Sequence, residues 1–318
     1  MFKKIIKSKW LKLGVTVILI YFAFKQVNII SIVKQLSEVK ITYLIFWLII
    51  TSLSTVLLAY RWSLLLIKKP SFGDILVFSK SIWSASFYGL FVPTSVGGDI
   101  FKWIIIDDKY PDISKSKLGG SILLDRFIGM SMLVFFGFVS QFFATSVGVE
   151  IPFLIKLSFW LIIGGCFLFY GLIFFGKTDF LFKNKWLEKF KNINELINKE
   201  NSKQIVKALA VTTVSDFLWI WQMWMISQYF GSNLSFIDIL VFLPVISTIL
   251  ILPISIAGFG AREQLYLYFF TRPINTPESI LLTSTIAGII GILNCLLGGL
   301  ISLTPEFRNS RKKLTFKK

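Results

Sequence analysis

The sequence predicts an all-α polytopic membrane protein, an inverted-topology repeat with about six spanning helices and two re-entrant hairpins. Three observations lead there. Apolar runs long enough to cross a bilayer recur along all 318 residues, 55% of which are hydrophobic, with a mean hydropathy of +0.73. The segment SFGDILVF at 71–78 returns as SFIDILVF at 235–242, differing at Gly73 against Ile237. Each copy leads into a Pro/Gly/Ser-rich break, FVPTSVGGDIFK at 91–102 and LPISIAGFGARE at 252–263, in which Pro93, Ser95 and Gly98 are answered by Pro253, Ser255 and Gly258.

In chain order, Lys3, Lys4, Lys7, Lys9 and Lys12 lead into an apolar stretch at 13–24. No small-residue cleavage site follows, so it is expected to stay as a first anchor. Residues 27–39 place Ile29, Val33, Leu36 and Val39 at helical spacing among Lys34, Glu38 and Lys40, the pattern of an interfacial amphipathic helix. Residues 41–60 are long enough to span, and Arg61, Lys68 and Lys69 mark that end as cytoplasmic, with Arg61 and Lys80 expected to snorkel to the interface.

Residues 72–106 enter, break and leave. The spans at 121–144 and 151–175 are joined by a weakly charged connection, and the loop at 177–207 is lysine-rich. If that loop is cytoplasmic, parity puts 107–117 on the same side, which makes 72–106 a re-entrant hairpin with PTSVGGD at its tip. Within the long loop Phe182, Trp186, Phe190, Ile193 and Ile197 share a helical face against Lys183, Lys185, Lys189 and Lys191, as in a basic interfacial helix. A span at 205–230, a second hairpin at 236–270 entering from outside, and a last span at 279–303 complete the chain. The expected units are therefore 1–150 and 151–318, each with three spans and one hairpin, inverted with respect to each other. Ordinary spans merely kinked by Pro and Gly would instead give eight crossings and put the lysine-rich loop outside, against the charge rule.

A net charge of +17 raises nucleic acid as a partner, but the bases sit in the connections between apolar runs, as cytoplasmic lysines do, and no nucleic acid is expected. The two cysteines, Cys166 and Cys295, lie in separate apolar runs, and the chain has no histidine. Neither a disulfide framework nor a metal site is supported, and no cofactor is expected.

Irregular backbone at membrane depth persists only against protein or a wet cavity. The tip residues Pro93, Ser95, Gly97, Gly98, Pro253, Ser255, Gly258 and Gly260 are therefore expected to meet near the midplane and line a cavity. There Gly97, Gly98, Gly258 and Gly260 let backbone amides approach a ligand. An ionisable side chain in hydrocarbon costs roughly 2.5 to 3.5 kcal/mol, so each needs a partner, water or a role. The candidates for substrate binding are Asp99 and Lys102 beside the first tip, Arg262 and Glu263 beside the second, and Asp125 with Arg126 in the following span; Asp216 is a further possibility. Bases would hold a phosphate and acids an amine or a proton. The competing reading is internal ion pairing: Asp99 and Lys102 are spaced to pair, whereas Asp125 and Arg126 diverge on a helix.

At Pro93-Thr94-Ser95-Val96-Gly97-Gly98-Asp99, at Asp125-Arg126 with Gly129, and at residues 253–263, the chain resembles the flippase-like family typified by the membrane region of lysylphosphatidylglycerol synthase. The resemblance implies handling of polar lipids in a prokaryotic cytoplasmic membrane; the loop charges and the basic tail (Arg308, Arg311, Lys312, Lys313, Lys317 and Lys318) put both termini on the cytoplasmic side. In the family an arginine often follows Gly-Gly-Asp; here Lys102 stands instead and loses a planar, bidentate grip on phosphate. Nothing to Lys318 resembles the soluble aminoacyl-transferase domain, so lipid aminoacylation is not expected of this chain.

The function expected is a lipid translocase or lipid-handling transporter for a phosphate-bearing or aminoacylated lipid. Arg262, Arg126 and Lys102 would lie on the phosphate, with Asp99 and Glu263 toward an amine or a proton. The alternatives are an intramembrane lipid-modifying enzyme using Asp99 and Glu263 as acid and base, and an accessory subunit serving a separate lipid-modifying enzyme. No nucleophile constellation accompanies the acids, so no catalytic residue is assigned.

Overall fold

A computed structural model describes residues 21, 29–91, 97–177, 196–250, 255, 258–271 and 275–303. Among the described residues ten α-helices follow one another and no strand occurs. They are α1 (Ile29–Ser37), α2 (Ile41–Leu66), α3 (Phe72–Phe91), α4 (Gly97–Lys109), α5 (Lys115–Ala144), α6 (Phe153–Phe174), α7 (Ser202–Tyr229), α8 (Phe236–Leu250), α9 (Ala261–Phe270) and α10 (Pro277–Ser302). Helices α2, α5, α6 and α10 are long and apolar enough to cross a membrane. Helix α7 occupies the expected fifth span with 28 residues but carries Lys203, Lys207 and Asp216, and falls outside that set. The anchor at 13–24 and most of the basic loop helix lie outside the described residues. From that loop helix, Ile197 is buried.

In α1 the buried side chain is Ile32, with Leu36 and Val39 packed against the core. Val33, expected on the apolar face, is 59% exposed and Ile32 packs in its place, whereas Leu36 and Val39 pack as expected.

The repeated octapeptide begins a helix the same way both times. The Ser71 N–H and hydroxyl donate to Asp74 Oδ2 at 2.8 and 2.7 Å, and the Asp74 N–H donates back to Ser71 Oγ at 3.2 Å. Ser235 and Asp238 repeat the reciprocal cap at 2.9, 2.8 and 3.1 Å. These caps satisfy amides that a helix start leaves without intrahelical partners.

Helices α3 and α4 lie side by side and antiparallel. The Tyr88 and Phe101 rings stack at 4.4 Å, and a Cβ on Gly98 would sit 3.0 Å from the Ala85 carbonyl oxygen. At the far end the Tyr110 hydroxyl donates to Asp74 Oδ1 at 2.6 Å, so the segment ends where it began. That hydroxyl, and then Ser71, hold the Asp74 carboxylate below its ordinary value. Helices α8 and α9 form the second such pair: Phe242 lies against Phe269 and Phe270, at 5.2 and 6.1 Å between ring centroids. Pro244 sits inside α8, where its carbonyl accepts from the Thr248 hydroxyl at 2.8 Å.

Two apolar cores occupy opposite ends of α2, α5 and α7. One gathers Trp62, Leu65, Leu118, Ile122 and Ile205 around Phe78 and Ile106 of the α3/α4 pair. The other gathers Trp47, Val134 and Ile226 around Phe242 and Phe270 of the α8/α9 pair. A polar belt joins the middle. Asn294 accepts from Ser52 Oγ at 3.2 Å and Trp83 Nε1 at 3.0 Å and donates to Thr55 Oγ1 at 3.1 Å; Gln222 donates to the Trp47 carbonyl and to Thr51 Oγ1 at 3.1 and 3.0 Å. Such bonds between helices contribute about 0.6 kcal/mol each in a membrane.

Candidate functional site

Three charged clusters are built by these helices. In the first, Asp99 stands in the first turn of α4, where a carboxylate complements the helix dipole. Arg126 Nη2 of α5 approaches Asp99 Oδ2 at 2.5 Å, and Lys102 Nζ, one turn along α4, approaches Oδ1 at 3.5 Å. Lys102 also lies over the Trp62 ring at 5.7 Å. Asp99 is buried at 8% exposure, whereas the Arg126 side chain keeps 38%. Two bases thus share one buried acid, and Arg126 is the more open of them.

In the second, Arg262 Nη2 donates to Glu263 Oε1 at 2.7 Å, and its Nε donates to Ser284 Oγ of α10 at 3.2 Å. Glu263 Oε2 accepts the Gly260 N–H at 2.6 Å, capping α9. Gly260 has φ 77°, a left-handed conformation open to glycine, which turns the chain into that helix. The guanidinium lies in a notch at Gly288, where an added Cβ would fall 2.1 Å from Arg262 Nη2. Base and acid here balance.

The third cluster was not anticipated. Arg61, expected at the membrane surface, is buried at 6% exposure, and its Nε donates to Asp125 Oδ1 at 2.7 Å. Its Nη1 lies 3.5 Å from Thr212 Oγ1 of α7, and a Cβ on Gly129 would sit 3.0 Å from Nη1. Arg61 lies within an apolar helix, so paired burial replaces snorkelling because α5 offers an acid and a glycine notch at the same level. An acid and a glycine four residues apart on α5 (Asp125, Gly129) was the available signal.

Of the expected site residues, then, Asp99, Lys102 and Arg126 come together, Arg262 and Glu263 come together, and Asp125 turns away from Arg126 toward Arg61. The ion pairs of Asp99 and of Arg262 are each made within their own half of the chain. Gly97 begins α4, Gly98 packs on α3, and Gly258 has φ 77°. Pro93, Ser95 and Pro253, and with them the expected meeting of the tips, lie outside the described residues; Ser255 is described, with its hydroxyl buried. The helix starts expected to receive an anion already carry carboxylates of the chain, Asp99 and Glu263, so an incoming anion has the basic side chains to meet rather than the backbone amides.

No curated protein and no solved structure matches the chain. A family model described as the lysylphosphatidylglycerol synthase TM region matches residues 9–299. This match takes in the spans, both helical pairs and all three charged clusters, and the chain belongs to the family of lysylphosphatidylglycerol synthase transmembrane regions.

Proposed function

We propose that the chain moves a polar, phosphate-bearing lipid between the leaflets of a prokaryotic cytoplasmic membrane. The observation that carries this reading is the first cluster: among the described residues two bases share one buried acid, with Arg126 partly open. A surplus cation in hydrocarbon is costly alone and favourable against a lipid phosphate. Arg126 offers that phosphate a planar fork and Lys102 a point charge. As they turn to the phosphate, Asp99 is released toward a lipid amine, which suits an aminoacylated headgroup. Arg262, already held by Glu263 and Ser284, takes the second step of the path.

An inverted repeat supplies the alternating access. Supporting it, the counterpart helices α2 and α7 lie antiparallel, with Tyr43 against Tyr229 at 4.8 Å and Thr51 against Gln222 at 3.1 Å. Helix α3 packs on α10 as its counterpart α8 packs on α5. The described turns of α4, α8 and α9, at 13, 15 and 10 residues, make about 20, 22 and 15 Å against hydrocarbon of about 30 Å. The two pairs therefore serve as re-entrant hairpins entering from opposite faces, one in each of the units 1–150 and 151–318, with both termini cytoplasmic. The partner is the lipid headgroup, with a separate lipid-modifying enzyme as its source.

The test is leaflet exchange in vesicles that hold the purified chain and a headgroup-labelled anionic or aminoacylated lipid. Exchange is expected to exceed that of empty vesicles and to fall at least tenfold in Arg126→Gln. Exchange equal to empty vesicles across a panel of such lipids would refute the reading.

A further inference from the structure

The third cluster takes no part in holding lipid as proposed above, yet its charges do not balance. Arg61 is one base between two acids. It is bonded to Asp125 on α5, and on α7 it meets Thr212, with Asp216 one turn further along. Asp216 lies one turn beyond Thr212, whose hydroxyl faces the same guanidinium, so the two residues share the face of α7 that Arg61 meets. Asp216 Oδ2 is shut off from the surface and receives no hydrogen bond among the described residues.

Among the described residues, the elements packed against α7 bring no second base. Helix α2 carries Arg61 and Tyr60 at this level. Helix α5 carries Asp125, while Arg126 is turned to Asp99. Helix α8 carries Asp238, at the other end of α7 and held by Ser235. Helix α10 has no charged residue between Glu278 and Ser302, and Cys295 is its one other titratable group. From α6, Tyr170 reaches the cluster and shares a hydrogen bond with Ser131 at 2.7 Å.

Among the described residues one guanidinium stands between two carboxylates, one of which carries an enclosed, unbonded oxygen, and such a group favours taking up one positive charge. A hard metal cation calls for several oxygen ligands, more than Asp216, Thr212 and Asp125 provide around a bound guanidinium, whereas a proton needs one oxygen. We propose that Asp216 is the chain's proton-binding carboxylate, linked through the Arg61–Asp125 pair to the lipid cluster. When Asp216 is protonated, Arg61 belongs to Asp125 alone. When it is ionised, the guanidinium is drawn toward α7 and away from its seat on Gly129. Asp125 and Arg126 are consecutive residues of α5, so a shift of Arg61 is felt at the turn that presents Arg126 to Asp99. The proton site stands on this geometry; its use as a coupling site rests on the lipid-transport reading.

Two measurements separate these. An infrared difference spectrum of the full chain in lipid nanodiscs, recorded across a pH step, should contain a protonated-carboxyl band that Asp216→Asn removes, Asp216→Glu shifts and Asp99→Asn leaves. The same carboxyl bands in wild type and Asp216→Asn, or a band that responds to replacing sodium by choline, overturn the proton site. In vesicles, lipid exchange should depend on pH in wild type and lose that dependence in Asp216→Asn. Exchange that is present but flat with pH in wild type overturns the coupling. No exchange in any lipid refutes the transport reading instead, and the infrared result still decides the proton site.

Discussion

Arg61 shows how far a single side chain departs from its sequence neighbourhood. It stands in a stretch that reads as a cytoplasmic end, followed by Lys68 and Lys69, yet it is enclosed by Asp125, Thr212 and the Gly129 notch. Removing one partner of a buried pair leaves an uncompensated charge, at a cost of about 3 to 5 kcal/mol, whereas replacing both by apolar residues is near neutral. Arg61→Met, which leaves Asp125 and Asp216 without their base, is therefore expected to lower the melting temperature in detergent sharply, and Arg61→Met combined with Asp125→Leu to recover much of that loss. A double variant no more stable than the single one would show that the pair itself, and not the orphaned charge, sets the stability. Lys102 was legible as a partner of Asp99 because spacing along one helix fixes it. Arg126 was not, since its bond crosses from α5 to α4.

At the scale of elements, the contact between α3 and α10 depends on absent side chains. A Cβ on Gly298 would lie 1.9 Å from the Trp83 carbonyl oxygen, and one on Gly299 would lie 2.8 Å from the Phe87 ring. Backbone cannot yield as a flexible side chain does, so the helices would have to separate. That close approach is what lets Trp83 Nε1 reach Asn294 Oδ1 at 3.0 Å. Gly298→Ala should cost about 1 to 3 kcal/mol in thermal unfolding. Gly291→Ala, on the same helix with nothing within 4 Å, should cost none. Equal effects would mean that helix propensity, and not the crossing, explains the glycine. The octapeptide repeat was readable as an element because its Ser and Asp form the same cap twice, a local device that needs no distant partner.

At the scale of the whole molecule, the two helical pairs and the two apolar cores define opposite ends. Single cysteines at positions 69 and 109 are expected to react with a membrane-impermeant thiol reagent from one face of oriented vesicles, and cysteines at 233 and 271 from the other. All four labelling from one face would remove the inverted arrangement. The order of long helices and short paired helices was visible in the apolar runs, since length against bilayer thickness and the Pro/Gly breaks are properties of the chain itself. What each charge does was not. Periodicity tells which face of a helix a residue occupies but not which helix stands opposite, and Arg61 meets partners 64 and 151 residues away in sequence. The sequence by itself determined a helical membrane chain with two matching breaks, because hydropathy and turn chemistry act locally. Only the tertiary structure decided that its acids and bases form three clusters of unequal charge, because in low dielectric the partner across the helix interface sets the state of a buried charge.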